Sequence, residues 1–175
     1  CKELKLKEQS TIKGDCLDIL KDKNIIEKYL KDKKFSLIAI DPPYGDMMSR
    51  EKTGEAIKKN QSTDATPFTK NRSDLGNMDW KSFKEKFLES IHLSIPFLKD
   101  RGHYVVFIKD LQPKEGQTNL LHSDLIEEMN KIEGIKYIGM KIWADESINL
   151  YPYGYPHSFV SNQLHQYIMF FRKKN

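Results

Sequence analysis

Residues 38–44 read Ile-Ala-Ile-Asp41-Pro42-Pro43-Tyr44, an apolar run that stops at an acid, two prolines and a tyrosine. Proline has no amide hydrogen and a fixed φ, so Pro42-Pro43 makes a stiff turn whose carbonyls are free to face a ligand. One turn then holds a carboxylate, free carbonyls and an aromatic face. Such a group can grip a planar base that carries an exocyclic amine. The amine donates to Asp41 and to the Pro42 carbonyl, and Tyr44 stacks on the ring. A strand-ending turn with a surface tyrosine is the plainer alternative.

The run Phe35 to Ile40 is short, apolar and preceded by lysines, the pattern of a buried parallel strand. Its carboxyl end is where ligands bind in open α/β sheets. Upstream, Ser10 to Lys13 reads as a short strand, Gly14-Asp15 as a turn, and Asp15 as the N-cap of a helix. Leu17, Leu20, Ile25, Ile26, Tyr29 and Leu30 give that helix its stripe. A strand–helix–strand unit of this kind implies a parallel pair with a right-handed crossover. Downstream, Asp79 can cap a helix whose apolar face is Trp80, Phe83, Phe87 and Ile91. Pro96 bends or ends it, and Arg101-Gly102 closes it. His103 to Ile108 reads as a strand that ends at Lys109-Asp110. Leu121, Leu125, Ile126, Met129 and Ile132 mark another helix. Strands follow at Ile135 to Trp143 and Leu164 to Phe171, making five in all, an α/β pattern.

The 175 residues fit one domain, 1–175, large enough for a sizeable core. Residues 45–78 form a polar loop within it, expected to be mobile without ligand. That loop carries Arg50, Lys52, Lys58, Lys59, Lys70 and Arg72, which could track a phosphate backbone; a surface insertion is the alternative. The formal net charge of +4 permits nucleic acid as partner, and solvated lysine faces account for it equally well. Two cysteines, Cys1 and Cys16, are too few for a disulfide framework, and no Cys/His spacing points to a metal. A reducing cytoplasm is the natural setting. No apolar run approaches the roughly 20 residues that span a bilayer. No signal-peptide pattern opens the sequence, and Cys1 in place of Met fits a trimmed start.

Asp41-Pro42-Pro43-Tyr44 at the end of an apolar strand resembles motif IV of the amino-methylating DNA methyltransferases. Those enzymes modify N6 of adenine or N4 of cytosine. Ile12-Lys13-Gly14-Asp15-Cys16-Leu17 is similar to the region before that motif. The helix at 80–98 and the strand at 103–108 look like motifs V and VI, and 121–143 like motif VII. His165-Gln166-Tyr167-Ile168 through Arg172-Lys173 resembles motif VIII. The resemblance covers nearly the whole sequence and is nearest to the group in which the catalytic half precedes the cofactor half. It implies a Rossmann-like sheet, mostly parallel with the last strand antiparallel. With about five of the family's seven strands, the sheet is partial. The Phe-x-Gly-x-Gly loop that binds S-adenosylmethionine in this family is missing. Gly14-Asp15 and Tyr153-Gly154-Tyr155 have the wrong spacing for it.

What the resemblance implies is methyl transfer from S-adenosylmethionine to the exocyclic amine of a flipped base in DNA, adenine slightly ahead of cytosine. Asp41, Pro42, Pro43 and Tyr44 would be catalytic. Asp15, Cys16 and Asp41 would face the cofactor, with Asp15 as a simple helix cap the competing role. Tyr44, the loop cations named above, Tyr153 and His157 would contact nucleic acid. His165 and Tyr167 would border the pocket, or be buried strand residues. Lys109-Asp110 face the same crevice. A second segment or subunit would supply the glycine loop and target recognition. Two alternatives stand beside this: methylation of an RNA base, and a non-catalytic nucleic-acid-binding subunit of a methyltransferase complex. Methylation of a protein glutamine uses Asn-Pro-Pro-Tyr, and Asp41 argues against it.

Overall fold

A computed structural model describes residues 10–30, 33–43, 60, 62, 64, 67–110, 120–144 and 165–175. Asp15 opens the first helix, α1 (Cys16–Lys21), its side chain accepting from the Leu17 amide at 2.8 Å. The expected single helix is broken at Asp22. The Asp22 carboxylate accepts from the amides of Asn24 and Ile25, starting a second helix, α2 (Lys23–Leu30). An Asp that satisfies the orphan amides of a new helix start competes with continuing the old one. Ser10 to Lys13 form no strand, a correction to the sequence reading. Lysine and threonine flank a single isoleucine there, and Ile12 is exposed, so there is no apolar face to bury.

The strand β1 (Phe35–Ile40) delivers Asp41. The parallel crossover expected before it comes after it instead, through α3 (Trp80–Ser94) to β2 (Leu98–Ile108). Asp79 caps α3, accepting from the Ser82 amide at 2.9 Å. Pro96 ends that helix in a short 3-10 turn, Ile95–Phe97. The chain enters β2 at once, so Arg101-Gly102 do not close the helix as expected but lie inside the strand. Arg101 there has φ +61°, a left-handed conformation that bends the strand. Then come α4 (Leu121–Lys131), β3 (Ile135–Ala144) and β4 (His165–Lys173).

The four described strands form one sheet in the order β1-β2-β4-β3, one fewer than the sequence count. β1 and β2 are parallel, and β4 runs antiparallel to both β2 and β3. The last strand is thus the antiparallel one, as expected. Phe83, Phe87 and Ile91 of α3 and Leu125 and Met129 of α4 are buried against Tyr104, Val106, Ile108, Met169 and Phe171. Both helices therefore cover the same sheet face. Alternation within the strands turns Leu37 and Ala39 to the other face, where they are exposed. Among the described residues, β1 pairs on one side only.

Candidate functional site at the carboxyl rim of the sheet

Because β1 and β2 are parallel and β4 is reversed, one rim of the sheet collects residues far apart in sequence. It holds Asp41, Pro42 and Pro43 after β1, Lys109 and Asp110 after β2, and His165 at the start of β4. Ile40 pairs with Val106, which fixes the height of Asp41 against β2. Asp41 is exposed, Pro42 buried and Pro43 half-buried. The anchored proline thus presents the acid at the surface.

Two hollows flank this turn. One, of about 440 Å³, is apolar and includes Ile26, Phe35, Ile40, Pro42, Pro43 and Phe87 in its wall. The other is a cleft of about 590 Å³ that joins Pro43 to Gly14, Asp15, Cys16 and Asp18 and to the turn that carries Asp74. Asp15 and Cys16 are thereby brought beside the Asp41-Pro42-Pro43 turn. One Asp15 oxygen serves the helix cap, so both roles expected of it converge on one side chain. The Cys16 thiol is pushed above its ordinary range by desolvation and by the negative charge of Asp15 and Asp18. It is a poor nucleophile in that setting.

The far wall of the cleft is the described end of the polar loop. Asp74 accepts from the Thr69 hydroxyl at 2.9 Å and from the Gly76 amide at 3.0 Å. The Asn77 side chain donates to the carbonyls of Thr69 and Asn71 at 2.8 and 2.9 Å. Short polar residues replace a sheet ladder here, holding a turn by side-chain bonds to its own backbone. Lys70 and Arg72 are exposed on this turn. The expected roles of Tyr44, Arg50, Lys52, Lys58, Lys59, Tyr153 and His157 lie outside the described residues.

Sequence reading missed His122. Asp110, 4 % exposed, accepts from the His122 amide at 3.0 Å, and its other oxygen meets the His122 Nδ1 at 2.7 Å. The His122 ring lies on Tyr167 with centroids 3.8 Å apart, and His165 meets Tyr167 edge-on. Burial first, and the Asp110 charge second, raise the Tyr167 phenol above its ordinary value. An acid two residues past a strand end was the one available signal, and nothing in the spacing pointed to a histidine twelve residues on.

With this geometry in view, solved structures resemble the chain. It matches TTHA0409 of Thermus thermophilus, provisionally assigned as a DNA modification methylase, with a TM-score of 0.55 and 17% identity. The match covers 93% of this chain and 51% of that one. The same protein complexed with S-adenosyl-L-methionine matches with a TM-score of 0.53. The M1.HpyAVI–SAM complex matches with a TM-score of 0.49 and 16% identity. The four-strand sheet resembles part of a methyltransferase fold. The chain spans about half the length of the structures it matches. No family model matches the sequence, and no curated protein does.

Proposed function

We propose that this rim transfers a methyl group from S-adenosylmethionine to the exocyclic amine of a flipped base in DNA, adenine before cytosine. The observation that carries the reading is the Asp41-Pro42-Pro43 turn, which exposes Asp41 at the carboxyl end of β1 and puts Pro43 in the wall of a cleft that also contains Asp15 and Cys16. That cleft fits the cofactor in size, within the range of ligand sites. Its lining carries both signs of charge, Asp15, Asp18 and Asp74 with Lys21 and Lys86, which suits a ligand bearing an ammonium, a sulfonium and a carboxylate. Asp15 and Cys16 would hold that group, which supplies an electrophilic methyl when bound.

The amine lone pair is delocalised into the base, so it is a poor nucleophile. Asp41 and the Pro42 carbonyl accept its two hydrogens, which turns the lone pair out of the ring plane toward the methyl. Positioning and preorganised acceptors supply most of the acceleration. Tyr44 stacks on the base and recovers part of the flipping cost of a few kcal/mol. Lys70, Arg72 and the other loop cations bind phosphates, and Tyr153 and His157 line the nucleic acid. Two cysteines, too few for a disulfide framework, suit a reducing cytoplasm. Among the described residues, no helix is long and apolar enough to cross a membrane.

A second reading keeps this chemistry but divides it between two pieces. It is favoured by the side of β1 on which no described strand pairs, the exposed Leu37, and a match to only about half of TTHA0409. In that case another segment or subunit completes the cofactor site. The test is Asp41→Ala, assayed for DNA affinity and for methyl transfer, with RNA as a second substrate. A catalytic Asp41 predicts unchanged DNA affinity and lost transfer. Equal transfer by variant and wild type would refute the role.

A further inference from the structure

The Asp110–His122–Tyr167 cluster is built more tightly than a helix cap requires. Capping α4 needs one carboxylate oxygen on one backbone amide, which Asp110 Oδ1 provides. The second oxygen goes to the imidazole of the same residue, at 2.7 Å. A carboxylate only accepts, so His122 Nδ1 carries the proton and donates it to Asp110. One face of the ring is set by Tyr167, 3.8 Å away and tilted by 18°. Position and rotation are fixed, and Nδ1 is committed to Asp110. His122 Nε2 has no hydrogen-bond partner among the described residues. Burying a carboxylate is costly unless it is well bonded, and here the bonds serve to aim a side chain.

The cluster lies at the same rim as Asp41. Tyr167 pairs with Ile108 of β2, and β2 is the neighbour of β1. Two strand spacings put the Tyr167 strand roughly 10 Å from β1. A planar base held by its amine at Asp41 and extending along the rim would meet the strands that carry Asp110 and Tyr167. The far edges of adenine and cytosine carry acceptors, ring nitrogens or a carbonyl. An imidazolium donates from Nε2 as well as Nδ1, and the Asp110 carboxylate beside Nδ1 balances its charge.

We propose that His122 is a base-contacting residue, donating from Nε2 to an acceptor on the base edge away from the reacting amine, and that Asp110 is its positioning residue. This rests on the function proposed above and adds a second point of recognition to it.

The experiment follows the His122 ring nitrogens by long-range proton–nitrogen NMR in the 175-residue chain. The probes are deoxyadenosine monophosphate, deoxycytidine monophosphate and deoxyribose 5-phosphate. The expected result is movement of the Nε2 signal with a nucleotide but not with the sugar phosphate. His122→Ala is then expected to raise that nucleotide's dissociation constant roughly tenfold, the size of one lost hydrogen bond to a charged group. Asp110→Asn is expected to weaken the Nε2 response while the ring stays stacked. Equal movement with deoxyribose 5-phosphate would overturn the base contact. Nucleotide binding that depends on Asp41 but leaves the His122 ring silent would overturn this proposal and spare the proposed function. No nucleotide binding by the folded chain would overturn both.

Discussion

Tyr104 and Ser94 fasten α3 to β2, the neighbour of the strand that carries Asp41, and their coupling can be worked out in advance. Tyr104 is fully buried, and its hydroxyl lies 2.8 Å from Ser94 Oγ. Ser94 also donates to the Ile91 carbonyl at 2.9 Å. A serine has one hydrogen, so with that bond made Tyr104 is the donor to Ser94. Removing the serine hydroxyl leaves the phenol with only the Ile91 carbonyl at 3.4 Å, at the limit of a hydrogen bond. Ser94→Ala should therefore cost about 1–3 kcal/mol, the range for an orphaned buried donor. Tyr104→Phe leaves Ser94 satisfied by Ile91 and should cost only about 0.5–1.5 kcal/mol. The double variant should fall short of the sum by about 1 kcal/mol. Urea unfolding followed by tryptophan fluorescence measures all three. A second signature lies in alkali. Burial pushes the Tyr104 phenol up to about 12, against a partial opposing effect of the Ser94 bond. A folded value above the unfolded one gives stability that is complete below pH 10 and lost as pH rises through 12. That loss is on the order of 3 kcal/mol for two units. Tyr104→Phe should lack this loss. Additive single variants, or an alkaline decline unchanged in Tyr104→Phe, would refute the reasoning.

Three further outcomes are expected. Phe87, 1 % exposed and stacked on Phe83, borders the apolar hollow under β1, so Phe87→Ala should cost about 3–5 kcal/mol in urea unfolding. Arg101→Gly removes a left-handed arginine and should raise the unfolding midpoint by the equivalent of about 1 kcal/mol, where a loss would show that Arg101 makes a contact worth more than its strain. Asp124 accepts from Trp80 Nε1 at 2.6 Å and from Lys84 Nζ at 2.8 Å; desolvation opposes these bonds, which nevertheless hold its carboxyl below the ordinary value. Its stabilising effect should be present above about pH 4 and fade as pH falls through the lowered value, and Asp124→Asn should flatten that acid limb of the stability profile.

The elements that position the turn were legible where apolar periodicity was strong. Phe83, Phe87 and Ile91 announce α3, and the alternation in 103–108 announces β2. What was lost followed from local competition. Asp22 splits a continuous apolar stripe by capping within it, and the start of β2 is hidden because Lys99-Asp100-Arg101 carries no apolar signal. The place of Asp41 at a strand end could be read because the apolar run and the two prolines are contiguous in the sequence. The Asp110–His122–Tyr167 cluster could not, because it depends on three elements meeting at one rim. The cleft between Asp15 and Pro43 is likewise a product of packing, and was reached beforehand only through family resemblance.

The central claim is that Asp41 serves transfer to an exocyclic amine. The most direct measurement supplies duplex DNA and S-adenosylmethionine labelled in its methyl group, digests the DNA to nucleosides, and identifies the labelled one. The account predicts label on N6 of adenine or N4 of cytosine with wild-type protein and none with Asp41→Ala. Label on a ring carbon, or equal label with both proteins, would contradict it.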